Sequence, residues 1–258
     1  MNTSAFPGAT AVTHLRVYDW ESPDGQRGGS PHLHTVSAEG YVVLGGTGAL
    51  ETLGAHGYAR TELERGTLLW FTPGTVHRLV NTGGDLEILV IMQNAGLPEA
   101  GDAVLTFPED VLADPARYAA ASALPATAPG SPPDGPDSPT ARAARRRRDL
   151  AVEGYLALRA RILAEGPQAL RPLHEAAARL VAPRAKDWRT LWQHGAAQES
   201  RRTSIELTRL ADGADAAHLS HGTLHAAPRT AGPPRYGMCG RLETWNLGAA
   251  RAYPLPLT

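Results

Sequence analysis

His32-Leu-His34-Thr-Val-Ser-Ala-Glu39-Gly-Tyr41 and, further on, Gly66-Thr-Leu-Leu-Trp70-Phe-Thr-Pro-Gly74-Thr-Val-His77-Arg-Leu-Val-Asn81 are the stretches that decide the fold. Side chains in a strand alternate faces, so His32 and His34 point the same way and can grip one ion. At this composition a His-x-His pair arises by chance roughly 0.4 times in such a chain. Adding a Glu five residues later (Glu39) and a Gly seven after that (Gly46) lowers the expectation to roughly 0.002. The spacing Gly66-x7-Gly74-x2-His77-x3-Asn81 lowers it further.

On either side of these stretches the pattern is of short strands broken by turns. Residues 12–20 alternate as a first strand, and 22–31 form a turn-rich loop that delivers the chain to His32. Strand-like runs follow at 40–44, 49–53, 58–63, 67–71, 77–81 and 86–93, which predicts an all-β sandwich or barrel.

These residues resemble the two signature motifs of the cupin superfamily. His32, His34, Glu39 and Gly46 match the first motif, and Gly66, Gly74, His77 and Asn81 the second. Two loop positions depart: Thr72 stands where the family usually has proline, with Pro73 one place later, and Gln26 stands where it has glycine. The resemblance covers about residues 10–110. It implies a mainly β, type-2 cupin jelly-roll barrel, with His32, His34, Glu39 and His77 as the ligands of one divalent transition metal. Three neutral imidazoles and a carboxylate suit Fe, Mn, Ni, Co, Cu or Zn alike. An octahedral ion would keep two positions for water, dioxygen or a chelating substrate.

Alternation from Glu39 puts Tyr41 on the pocket face, and alternation from His77 puts Asn81 there. Tyr41 is therefore the candidate catalytic group, as hydrogen-bond donor or proton shuttle, and Asn81 a supporting one. Of Trp70 and Phe71 one must face inward, and Trp70 is assigned to the substrate pocket with Tyr41 and Asn81.

The 258 residues carry a net charge of −1 that hides an asymmetry. Residues 1–122 hold 6 basic and 14 acidic side chains, and 123–258 hold 19 and 12. The start of the chain lacks a signal-peptide pattern and no apolar run is long enough to cross a bilayer, which predicts a cytoplasmic protein without a membrane partner. Cys239, the single cysteine, forms no internal disulfide and reads as a packing residue.

The expected organisation is a cupin domain over 1–122, a Pro-rich flexible linker over 123–140, and a mainly helical region over 141–258 ending in one or two short strands. Helices are expected through residues 150–163, 170–181 and 188–211, and strands at 240–247 and 220–226. Arg142 and the run 145–148 oppose the dipole of a helix beginning there, so they are expected in the linker or a frayed turn. Without a recognition-helix pattern they argue against specific nucleic-acid binding. His218, His221 and His225 have helical spacing, but Gly222 interrupts it, so they read as loop or strand histidines rather than a second metal site.

The leading expectation is a metal-dependent enzyme on a small oxygen-bearing substrate, of dioxygenase, isomerase or decarboxylase type. The alternatives are a non-catalytic small-molecule-binding cupin and a ligand-sensing transcription regulator. The resemblance is also compatible with a homodimer through the cupin sheet.

Overall fold

Short β-branched and aromatic runs separated by glycine turns form nine strands in the first part of the chain. They are β1 (Ala11–Val17), β2 (His32–His34), β3 (Glu39–Gly45), β4 (Gly48–Gly54), β5 (Gly57–Leu63), β6 (Leu68–Phe71), β7 (Val76–Val80), β8 (Glu87–Met92) and β9 (Ala103–Leu105). Helices α1 (Glu109–Leu112), α2 (Pro115–Ser122), α3 (Pro139–Glu165), α4 (Arg171–Val181), α5 (Ala185–His194) and α6 (Ala196–Ala211) follow. The chain then returns to extended structure in β10 (His225–Ala226), β11 (Arg235–Tyr236), β12 (Gly240–Thr244) and β13 (Arg251–Ala252). The computed structural model describes residues 6–125, 135, 137–213 and 216–252. Of the segment expected as a linker, residues 126–134 and 136 lie outside the described residues.

The strands make two large antiparallel sheets, ordered β11-β12-β1-β8-β3-β6 and β5-β4-β7-β2-β9, and β10 pairs with β13 in a separate two-stranded sheet. This is the expected jelly roll, followed by the expected helical region. Side chains between the sheets, among them Leu15, Tyr41, Val43, Leu79, Ile88 and Met92, form one core. A second core lies on the outer face of the five-stranded sheet, where Leu33, Leu53 and Val76 meet Tyr155, Ile162 and Leu173 from the helices. Strand β7 is buried at all five positions because it has a core on each side. Gly154 lets α3 pass close to the chain that follows β9: a Cβ there would run into the Thr106 and Phe107 backbone.

The last part of the chain also enters the barrel. β12 pairs with β1 along Thr13–Val17, so the expected strand at 240–247 is present as Gly240–Thr244 and extends the six-stranded sheet. The turn before it presses Cys239 against the loop that leads to His32, where a Cβ on Gly29 would lie 2.6 Å from the Cys239 Cα. Of the strand expected at 220–226 only His225–Ala226 forms, after a 3-10 turn at Ala217–His221. The helix expected at 188–211 is divided by Gly195 into α5 and α6.

The arginine run corrects the expectation drawn from the helix dipole. Residues 145–148 lie within α3, which begins at Pro139 and is capped by Ser138, whose hydroxyl accepts from the Ala141 N–H at 3.0 Å. Two of the arginines are buried for a reason the dipole argument leaves out. Arg148 donates to the carbonyls of Trp20 (2.7 Å) and Glu21 (2.8 Å), and Arg147 to that of Gly237 (2.6 Å). Charge-assisted bonds to backbone carbonyls outweigh a macrodipole effect of roughly 0.3–1 kcal/mol. Among the described residues no helix is long and apolar enough to cross a membrane.

Candidate metal centre

His32 and His77 are paired directly across β2 and β7, so their rings lie side by side on the inner face of the five-stranded sheet. His34, two residues along β2, shares that face. Glu39 opens β3 in the opposite sheet and reaches across the barrel. Donor atoms from the four residues all lie within 4.8 Å of one another, and all four side chains are buried. No other group of three or more His, Cys, Asp or Glu with converging donors occurs among the described residues.

The second nitrogen of each ring fixes what the first can do. The Nδ1–H of His32 donates to the Ser30 carbonyl at 2.9 Å, and that of His77 to the Thr75 carbonyl at 3.3 Å, because a carbonyl can only accept. In neutral rings both Nε2 atoms are then lone pairs, and they face each other at 3.1 Å. His34 Nε2 and His77 Nε2 each stand 3.2 Å from Glu39 Oε2, which makes no hydrogen bond. Lone pairs and a carboxylate crowded in this way repel unless a proton or a metal ion sits among them. Donors about 2.0–2.2 Å from one ion and at right angles are about 3 Å apart, so the set fits a divalent transition metal.

Without an ion the groups share charge among themselves, and a metal would have to displace the proton held by His34. Burial, with His77 and His34 nearby, pushes His32 well below the usual imidazole range and keeps it neutral. Burial disfavours charge on Glu39 as well, but His77 and His34 outweigh it and hold the carboxyl well below its usual range. For His34 burial again works against the charge, while Asp102 and Glu39 prevail and push it up to about 9. Tyr41 is raised well above the usual phenol range by burial and by Glu39, so its hydroxyl stays protonated. That hydroxyl is buried and has no hydrogen-bond partner.

The other expected site residues are placed differently. Trp70 is turned outward and is 72% exposed. Phe71 takes the inner face because it pairs with Glu39 across β3 and β6, and its ring lies 4.2 Å from that of His77. Asn81 is a loop staple: its Nδ2 donates to the Val17 carbonyl at 3.1 Å, and its Oδ1 accepts from the Gly84 and Leu86 N–H groups at 2.9 and 3.2 Å. The Cys239 thiol is pushed up by burial, as suits a packing residue. His221 and His225 are exposed. Only the strand pairing with Glu39 tells Phe71 from Trp70, and Asp102, beside His34, carries no local spacing signal at all.

The family model described as Cupin domain matches residues 18–92. No curated protein matches the chain. Among solved structures, a TDP-fucose-3,4-ketoisomerase from Campylobacter jejuni is 14% identical over 36% of this chain and 64% of its own, with a TM-score of 0.30. Oxalate decarboxylase from Bacillus subtilis is 19% identical over 40% of this chain and 27% of its own, at 0.33. A cupin protein from Bacteroides fragilis is 24% identical over 34% and 65%, at 0.25. The chain thus spans less than two thirds of the length of each of these three. The family match, the two antiparallel sheets and the motif residues identify the N-terminal part of this chain as a cupin domain.

Proposed function

We propose that the protein is a metal-dependent enzyme acting on a small oxygen-bearing substrate, of dioxygenase, isomerase or decarboxylase type. The observation that carries this is the convergence of three imidazole nitrogens and one carboxylate oxygen on a common point, beside an unpartnered tyrosine hydroxyl. His32, His34, Glu39 and His77 would hold one divalent transition metal, drawn from Fe, Mn, Ni, Co, Cu and Zn. Bound there, the metal would supply Lewis acidity, and electrons where it is redox-active, to a substrate that chelates it. Tyr41, kept protonated by its burial, acts as a hydrogen-bond donor to oxygen that gains negative charge. Phe71, whose ring lies 4.2 Å from that of His77, gives the site an apolar wall that belongs to the same inner core as Val43, Leu79 and Met92. The same reading makes the protein cytoplasmic. It also makes it a homodimer through the six-stranded sheet, supported by Leu68 and Trp70, 63% and 72% exposed on edge strand β6.

Closure of the site favours one rival, a cupin that holds its small-molecule ligand without turnover. All four ligand residues are buried, and the clefts of 560 Å³ beside α3 and α4 and of 800 Å³ beside Trp245 lie outside the barrel and touch none of them. A transcription regulator has less support, since Arg147 and Arg148 are engaged with backbone carbonyls. Metal analysis of the purified protein, then oxygen-uptake, carbon-dioxide-release and sugar-isomerisation screens of wild type and Tyr41→Phe, test the proposal. Turnover that needs the metal and falls in Tyr41→Phe is expected. Metal-loaded protein that binds small oxyacids and never turns them over would favour the rival.

A further inference from the structure

The three imidazoles are not held alike. His32 and His77 each turn Nδ1 to the carbonyl two residues upstream in their own chain segment. His34 has no such carbonyl: its buried Nδ1 makes no hydrogen bond and faces Asp102 Oδ2 at 3.6 Å, just beyond hydrogen-bonding distance. Asp102 lies immediately before β9, outside the residues 18–92 that match the family model.

The Asp102 carboxylate is fully buried and is pinned from several directions. Its Oδ1 accepts from the Thr35 N–H (2.8 Å), the Val36 N–H (2.9 Å) and the Thr35 hydroxyl (2.5 Å), and its Oδ2 from the Ser37 N–H (3.0 Å). These donors belong to the turn that joins His34 to Glu39. One anion therefore faces the outer nitrogen of one candidate ligand and shapes the turn that returns the chain to the next. A carboxylate fixed by four donors has little freedom to move, so the ring beside it has a fixed acceptor to orient against.

We infer that Asp102 is a positioning residue for the metal centre: it holds His34 with Nδ1–H outward and the Nε2 lone pair on the ion, and sets the turn that brings Glu39 to the same point. This rests on the metal reading above. Loss of an outer partner of this kind typically weakens metal binding about 10–100-fold.

The test uses Co(II) alone as probe, titrated against a competing chelator and followed by visible absorption, on wild type, His34→Ala, Asp102→Asn and Thr35→Val. Expected is a 10–100-fold loss of affinity in Asp102→Asn, with Thr35→Val, which keeps the carboxylate beside His34, close to wild type. In Zn(II)-loaded wild type, the His34 Nδ1–H should appear by NMR as a downfield, slowly exchanging proton, more so than that of His77. That measurement decides the matter if Asp102→Asn does not fold. The inference fails if Asp102→Asn binds Co(II) as tightly as wild type while His34→Ala does not. It also fails if Thr35→Val is as damaging as Asp102→Asn, or if the His34 proton exchanges as freely as one in water. Wild type that takes up no Co(II) would overturn the metal reading and this inference with it.

Discussion

Removing everything after residue 125 should unfold the barrel, although the family match ends at residue 92. The helices cover the outer face of the five-stranded sheet, where Leu33, Leu53 and Val76 are at most 1% exposed. Burying one such side chain is worth about 1.5–3 kcal/mol, so uncovering the three costs about 5–9 kcal/mol. Whole-domain stabilities are about 5–15 kcal/mol, so this loss alone consumes most of the margin. Two further losses add to it. Glu51, buried on the same face, loses the Tyr155 hydroxyl at 3.1 Å and Arg159 at 3.6 Å, and β1 loses its pairing with β12. The assay is thermal and urea unfolding of residues 1–125 beside the full chain, followed by circular dichroism, with a dye that reports exposed apolar surface. A fragment that melts cooperatively within a few degrees of the full chain would refute the role given to the second core.

Three smaller expectations follow from single side chains. Asn81→Ala leaves a buried donor on Leu86 and a half-buried one on Gly84 unpaired and should cost about 2 kcal/mol in urea melts, while metal per folded molecule stays unchanged; a fall in metal content would return Asn81 to the site. Burial raises the Asp24 carboxyl, but Arg78 at 2.6 Å, with Ser22 and the Gln26 N–H, outweighs it and holds the group well below the usual carboxylate range. Its contribution is then present above the unfolded value of about 4 and fades as pH falls below it. Asp24→Asn should accordingly flatten the acid limb of the stability profile, and an unchanged limb would show that the pair contributes nothing. Trp70→Arg should leave stability within about 0.5 kcal/mol, as exposed positions do, and convert a homodimer to monomer in light scattering; an unaltered dimer would place the interface elsewhere.

What could be seen in the sequence was whatever depends on near neighbours. The His32–His34 pair and the alternation from Glu39 to Tyr41 need only the period of a strand, and Glu39 and His77 were added as ligands by the resemblance to the cupin motifs. Trp70 and Phe71 could not be separated that way, because two adjacent strand residues take opposite faces and only pairing with Glu39 decides which is inner. Arg147 and Arg148 were misplaced because their partners, Gly237, Trp20 and Glu21, are distant in the chain, and a helix-dipole argument counts only the helix itself. The pairing of β12 with β1 joins the two ends of the described chain, and no periodicity signals it. Asp102 was missed for the same reason: its hydrogen bonds to residues 35–37 are made to the end of the neighbouring strand β2, more than 60 residues away in the chain.

The most direct measurement is anomalous diffraction or X-ray absorption on crystals of the full chain purified with its native metal. The account predicts one divalent transition metal per chain, about 2.0–2.2 Å from His32 Nε2, His34 Nε2, Glu39 Oε2 and His77 Nε2. A metal bound elsewhere, or four side chains that hydrogen-bond one another around water in fully loaded protein, would contradict it.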